Sequence, residues 1–239
     1  MIARAVVVPH PPLLVPELVP GSVESTAPVR TACLAAAGFL AERARHWVAI
    51  GADPAVTTPT TVRPGARGRF GGYGVDVRVA LSDVAEEDPA ELPLPALIAG
   101  WLRERAAATA VEVRLLAADA GAEDCARAGA ELARLAEAEG ELGLLVLGDG
   151  SHRHGPRSPG GQDDRAAGFD EVAARALGTA DIATLLAIDP GLAAELGAQG
   201  RVPWQVLAAF AEGARWRSEL LYSGAPFGVG YHVATWERR

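Results

Sequence analysis

The chain has 239 residues, 49% of them hydrophobic, and sets 22 basic against 30 acidic side chains for a formal net charge of -8. That balance argues against a nucleic-acid partner, because phosphate neutralisation needs a concentrated basic face and the arginines do not cluster into one. Lysine and asparagine are absent, which excludes every mechanism that needs a lysine amine, the phosphate-binding P-loop and Schiff-base chemistry among them.

A chain of this length fits one α/β domain, residues 1-239. Cys33 and Cys125 are too few for a disulfide framework and stand in helix-like sequence, as free thiols of a reducing cytoplasm would. The apolar N-terminal run is interrupted by prolines and has no basic leader, so neither a signal peptide nor a membrane span is expected there.

Residues 3-8 (ARAVVV) form a short β-branched run stopped by Pro9, the pattern of a buried parallel strand that opens into a loop at His10. Ser22 is placed to cap a helix running to about Arg45, with Val29, Cys33, Leu34, Ala37 and Leu40 at helical spacing. A second strand is expected at 47-51, then a long loop rich in Pro, Thr and Gly over 52-74 with room for one hairpin. Strict alternation marks a strand at 75-81, and a proline-led helix spans 93-108. A strand at 111-117, a helix at 122-139 and a strand at 142-148 continue the alternation that builds a mainly parallel sheet. After the turn-rich GDGSHRHGPRSPGGQDDR come helices near 164-178, 181-198 and 203-213. Two closing strands, ARWRSELLYSG and FGVGYHVATW, are joined at Ala225-Pro226. The expected fold is α/β, a single domain with a mainly parallel central sheet, helices on both faces and a hairpin-like C-terminal β pair. One sheet is expected to hold all the strands.

In open α/β sheets, ligands gather at the carboxyl ends of strands. Four polar features fall at such ends: His10, Asp53, the loop from Asp149 to His154, and the Tyr222-Ser223 turn. Imidazole and carboxylate suit a divalent iron held by a two-histidine, one-carboxylate face that leaves positions open; His10 and Asp53 supply two of those three ligands. Against this, His10 also suits hydrogen bonding within a Pro-rich turn. Asp53, followed by Pro54, is a turn initiator whose side chain can bond its own backbone two residues on. His152 and His154 are spaced so that extended backbone sends both rings to one face, as joint ligands or as a ligand beside a general base. A solvated loop is the alternative for both. His232 shares a strand face with Gly230, Ala234 and Trp236, which suits a packed core or interface histidine.

The opening VVVPHPPLLVPEL, the strand-end GDGSH and the closing YSGAPFGVGYHVATW, in this order and with these separations, resemble the catalytic subunit of the class III extradiol ring-opening dioxygenases. That superfamily also contains the Memo-like proteins. The likeness spans nearly the whole chain through motifs that are each short. It implies iron binding by His10. A second iron-binding histidine of the family maps onto Asp53, a departure from the pattern, and the acid/base histidine, or a ligand in the Memo-like branch, maps onto His152. The last ligand, a glutamate in the dioxygenases or a cysteine in the Memo-like branch, falls near Tyr222 to Ala225, where only Tyr, Ser, Gly and Ala stand.

The site so implied has His152 as catalytic acid/base, His10, Asp53 and a rescuing His154 on the metal, and Ser151, Tyr222 and Ser223 against the substrate. Iron(II) is the expected cofactor, with zinc as the alternative and a metal-free site as the third case. The leading reading is opening of a catechol-like aromatic diol at an altered metal site. Beside it stand an inactive binding or regulatory protein of the same fold and a metal-dependent hydrolase. A cytoplasmic homo-oligomer with neither nucleic acid nor membrane as partner completes the expectation.

Overall fold

The computed structural model describes residues 2–85, 90–139 and 141–239. Its strands are β1 (Ile2–Val8), β2 (His46–Asp53), β3 (Thr60–Val62), β4 (Arg67–Arg69), β5 (Arg78–Ala80), β6 (Ala110–Ala117), β7 (Leu142–Leu147), β8 (Trp216–Gly224) and β9 (Tyr231–Arg238). The helices are α1 (Val23–Arg43), α2 (Leu94–Arg105), α3 (Ala122–Ala138), α4 (Arg165–Thr179), α5 (Ile182–Leu186), α6 (Pro190–Leu196) and α7 (Arg201–Ala211).

The main sheet has seven strands in the order β3-β6-β2-β7-β1-β9-β8. Strands β6, β2, β7 and β1 run parallel, while β3 at one edge and the β9-β8 pair at the other are antiparallel additions. A central parallel strand is covered on both faces and needs hydrocarbon at every position; all six residues of β7, LGLLVL, are buried.

Alternation of side chains along each strand divides the core in two. Val6, Val8, Leu145 and Leu147 face α1 and α2, where they meet Cys33, Leu40, Leu97 and Trp101. Val7, Leu144, Val146 and Trp236 face the other way, toward Leu132 of α3, Leu177 of α4 and Trp204 of α7. The fold is therefore α/β, with a mostly parallel sheet, helices on both faces and an antiparallel C-terminal pair. Cys33 and Cys125 are buried free thiols belonging to the two different cores. No helix among the described residues is long and apolar enough to cross a membrane.

The structure corrects the sequence reading in three places. One sheet does not hold every strand, because β4 and β5 pair with each other as a separate ribbon. The strand expected at 75-81 shrinks to Arg78–Ala80, since the Val77 amide bonds the Val75 carbonyl in a tight turn just before it. The helix expected at 181-198 is two helices. Asp189 caps α6 by accepting from the Leu192 amide at 2.6 Å, and Pro190 in its first turn has no amide with which to continue α5. Ser22 does sit at the start of α1, but its side chain makes no capping bond; its carbonyl accepts from the Thr26 hydroxyl at 3.0 Å.

Helices α3 and α7 approach so closely that a Cβ built on Gly129 would lie 2.8 Å from both Ala209 Cβ and the Phe210 amide nitrogen. Gly129→Ala is expected to overpack this contact at a cost of about 1–3 kcal/mol. Chemical denaturation should show a lower midpoint with an unchanged slope; undiminished stability would mean that the two helices separate freely.

Candidate active site

Strands β1 and β7 are neighbours and end at the same rim of the sheet, which brings His10 and Asp149 together. The His10 amide donates to Asp149 Oδ1 at 2.9 Å, and the His10 Nδ1 lies 3.8 Å from that oxygen. His10 is buried, and its Nδ1 has no hydrogen-bond partner. On this face, burial and then the Asp149 carboxylate hold the Tyr231 hydroxyl well above the usual phenol range, and the same two causes raise the Cys33 thiol.

A second and denser polar centre lies on the opposite face of β9. Its hub is the carboxyl group of Asp170 of α4, which is buried. The carboxylate accepts from the Ser151 amide at 3.1 and 3.2 Å, one distance for each oxygen. His154 Nε2 lies 2.5 Å from Asp170 Oδ2, and His232 Nε2 lies 3.4 Å from Asp170 Oδ1. The far side of the His232 ring is engaged as well, with Nδ1 3.0 Å from Ser223 Oγ. Ser223 and His232 are directly paired across β8 and β9, so the antiparallel register itself sets this contact.

Glycine makes room for the hub. A side chain on Gly150 or Gly230 would overlap the Asp170 carboxylate. These two residues are also bonded to each other, Gly150 amide to Gly230 carbonyl at 2.7 Å, which ties the loop after β7 to the start of β9. A cavity of about 470 Å³ opens beside the hub, and His154, Asp170, Ser223 and His232 all contribute to its wall. That volume lies within the range of small-molecule sites.

Among the residues expected from the sequence, the structure joins some and separates others. His154 and Ser223 meet around Asp170. Ser151 is buried beside them, but its hydroxyl is spent on the Leu196 carbonyl at 3.0 Å, so a direct substrate contact is not what this geometry offers. Tyr222 packs with the α1–α2 core, on the other face from Ser223. Asp53 turns back on its own backbone and accepts from the Ala55 amide at 2.7 Å, the Asx turn that Asp-Pro sequences favour. The His152 ring is wedged between Gly160 and Gly197, where a side chain on either glycine would overlap it. Burial, then the Arg153 charge, push its pKa down.

The metal that the resemblance implies needs donors free to converge on one point. His10 Nδ1 is unpartnered, but Asp53 Oδ1 accepts within its own turn and His154 Nε2 lies against Asp170. Among the described residues, no group of three or more His, Cys, Asp or Glu side chains is arranged to hold a metal ion. The set His10, Asp53 and His154 therefore does not fit iron or zinc here. The reason is topological: β2 and β1 are separated by β7, and His154 is drawn to the α4 face.

Sequence reasoning missed Asp170 and gave His232 only a packing role. One signal was present. Ala166, Asp170, Ala173 and Leu177 recur at helical spacing along the buried stripe of α4, and an acid on an apolar stripe demands partners.

No known family model matches the sequence, and no curated protein matches it. Among solved structures, the crystal structure of the uncharacterized protein JW3007 from Escherichia coli K12 is similar, with a TM-score of 0.57 over 98% of this chain and 99% of that one at 13% sequence identity. At that identity the likeness speaks for a shared architecture alone.

Asp170→Asn keeps the shape of the hub but removes its charge and turns one acceptor into a donor. It should lower stability by about 1.5–3 kcal/mol, the usual worth of a hydrogen bond to a charged group, in urea denaturation at neutral pH. A loss below about 0.5 kcal/mol, the scale of an ordinary surface change, would remove Asp170 from its central place.

Proposed function

We propose that the protein is a hydrolytic enzyme for a small molecule, working by proton transfer at the Asp170–His154–His232–Ser223 centre. The observation that carries this reading is a buried carboxylate flanked by two imidazoles, one of which bonds a hydroxyl on the wall of a ligand-sized cavity. A histidine held by a carboxylate on one side and facing a hydroxyl on the other is the working unit of general acid–base catalysis.

Oxidative opening of an aromatic diol, the reaction implied by the resemblance, requires three donors at a shared point. The donor engagement described above does not support that step, and no part of the proposal runs through a metal. The α/β architecture is compatible with the resemblance, and the proposal is that this chain is an extradiol-dioxygenase-like member with an acid–base centre in place of the redox one. The buried, unpaired cysteines fit a reducing compartment such as the cytoplasm.

The test uses untagged protein treated with a chelator and a panel of chromogenic esters, lactones and amides. Hydrolysis without added metal is expected, and His232→Gln, checked for folding by circular dichroism, should lower kcat/KM on the order of 100-fold or more. Stoichiometric Fe(II) binding with catechol-dependent oxygen uptake, and no hydrolysis, would replace this reading with the dioxygenase one.

A further inference from the structure

β8 is the edge of the main sheet, and Ser223, near its C-terminal end, is exposed. Its cross-strand partner His232 is only 1% exposed. A reachable hydroxyl thus stands directly in front of a shielded imidazole, and behind that ring is a buried carboxylate. Ser223 Oγ is 3.0 Å from His232 Nδ1, and His232 Nε2 is 3.4 Å from Asp170 Oδ1.

Which ring nitrogen carries the proton follows from what each one faces. The Asp170 carboxylate can only accept, so it favours the hydrogen on Nε2. That leaves the lone pair of Nδ1 directed at the Ser223 hydroxyl. Nε2 makes no hydrogen bond in this structure; its 3.4 Å approach to Asp170 Oδ1 is a charge contact, of the kind that tightens into a hydrogen bond when substrate binds. A hydrogen bond serving packing alone would not need its hydroxyl on the wall of an open cavity.

From this order of hydroxyl, imidazole and carboxylate we infer that Ser223 is a nucleophile and that the substrate is a small carboxylic ester, cleaved through an acyl-serine intermediate. The inference rests on the hydrolytic reading above and deepens it. The arrangement has the roles of a serine–histidine–aspartate triad, with the two ring nitrogens used in the reverse sense. Apolar wall residues Ala167, Ala174 and Leu220 suit a short acyl or alkyl group, and Arg175 on the same wall supplies positive charge for a developing oxyanion.

The chemistry balances with water alone. Ser223 Oγ bonds to the ester carbonyl carbon as its proton passes to His232 Nδ1. The carbon–oxygen bond to the alcohol then breaks, and the departing alkoxide takes that proton. Water next adds to the acyl carbon, its proton moving through His232 to Ser223 Oγ as the acyl–serine bond breaks. One ester and one water become one carboxylic acid and one alcohol, and nothing is oxidised or reduced.

An alkyl fluorophosphonate tests this on the full chain, with intact mass and peptide mapping as readouts. A single adduct on Ser223 is expected, lost in Ser223→Ala and retained in Ser25→Ala, whose serine is exposed elsewhere. With p-nitrophenyl butyrate, a burst of nitrophenolate equal to the enzyme concentration is expected, and Ser223→Ala should lower kcat/KM on the order of 100-fold or more. Ester turnover that survives Ser223→Ala, or an adduct confined to another residue, would overturn the nucleophile and leave the hydrolytic reading in place. Failure of the folded wild-type protein to turn over any ester, lactone or amide in the panel, with no adduct formed, would overturn both.

Discussion

A carboxylate inside a protein must be surrounded by donors or it destabilises the fold. Asp170 meets that demand by drawing together three parts of the chain that are distant in sequence: α4, the loop after β7 and the β8-β9 pair. Its oxygens take the Ser151 amide and approach the His154 and His232 rings. Gly150 and Gly230 are the spaces that let it enter, since any side chain at either position would overlap it. The loop after β7 takes its course from this contact. His154 is held on the α4 face, and the extended spacing of His152 and His154 does not turn both rings toward the strand ends.

Period-two alternation along β9 then separates the polar residues of the C-terminal segment into two centres. Tyr231 goes to the α1–α2 side with the His10–Asp149 pair, and His232 goes to the α4 side with Ser223 and Asp170. A one-residue change of register would exchange them. The rim at His10 keeps a buried imidazole with an unused nitrogen beside the Asp149 carboxylate, but among the described residues no third His, Cys, Asp or Glu joins them to hold a metal ion. The opposite face has an acid, two imidazoles, a hydroxyl and an adjoining cavity, and the proposed proton transfer is placed there. The edge position of β8 completes the contrast: it exposes Ser223 while the sheet and α4 cover the groups behind it.

The packing around these centres leaves little slack. Gly148 lies against Gly200 and Trp204, and Gly200 lies against the Trp204 ring, so the start of the loop after β7 is anchored by close backbone approach. Interiors packed at this density transmit small displacements. The site should therefore respond to substitutions in the glycines as strongly as to changes in its polar groups.

The sequence by itself determined the α/β class, the parallel central strands and the antiparallel ending. Those features follow from local signals: the unbroken hydrocarbon of LGLLVL, the alternation in GYHVATW and the prolines that end a strand at Pro9 and open a helix at Pro93. It also contained the Asp53 turn, because an aspartate before proline bonds its own backbone. The partners of each polar side chain were decided only in three dimensions. That His154 turns to Asp170, that His152 is enclosed by Gly160 and Gly197, and that His232 stands between Ser223 and Asp170 depend on strand register and helix placement. Hydrophobic periodicity reports which face of an element is buried, whereas a hydrogen-bond partner far along the chain is chosen by the packing that brings those faces together.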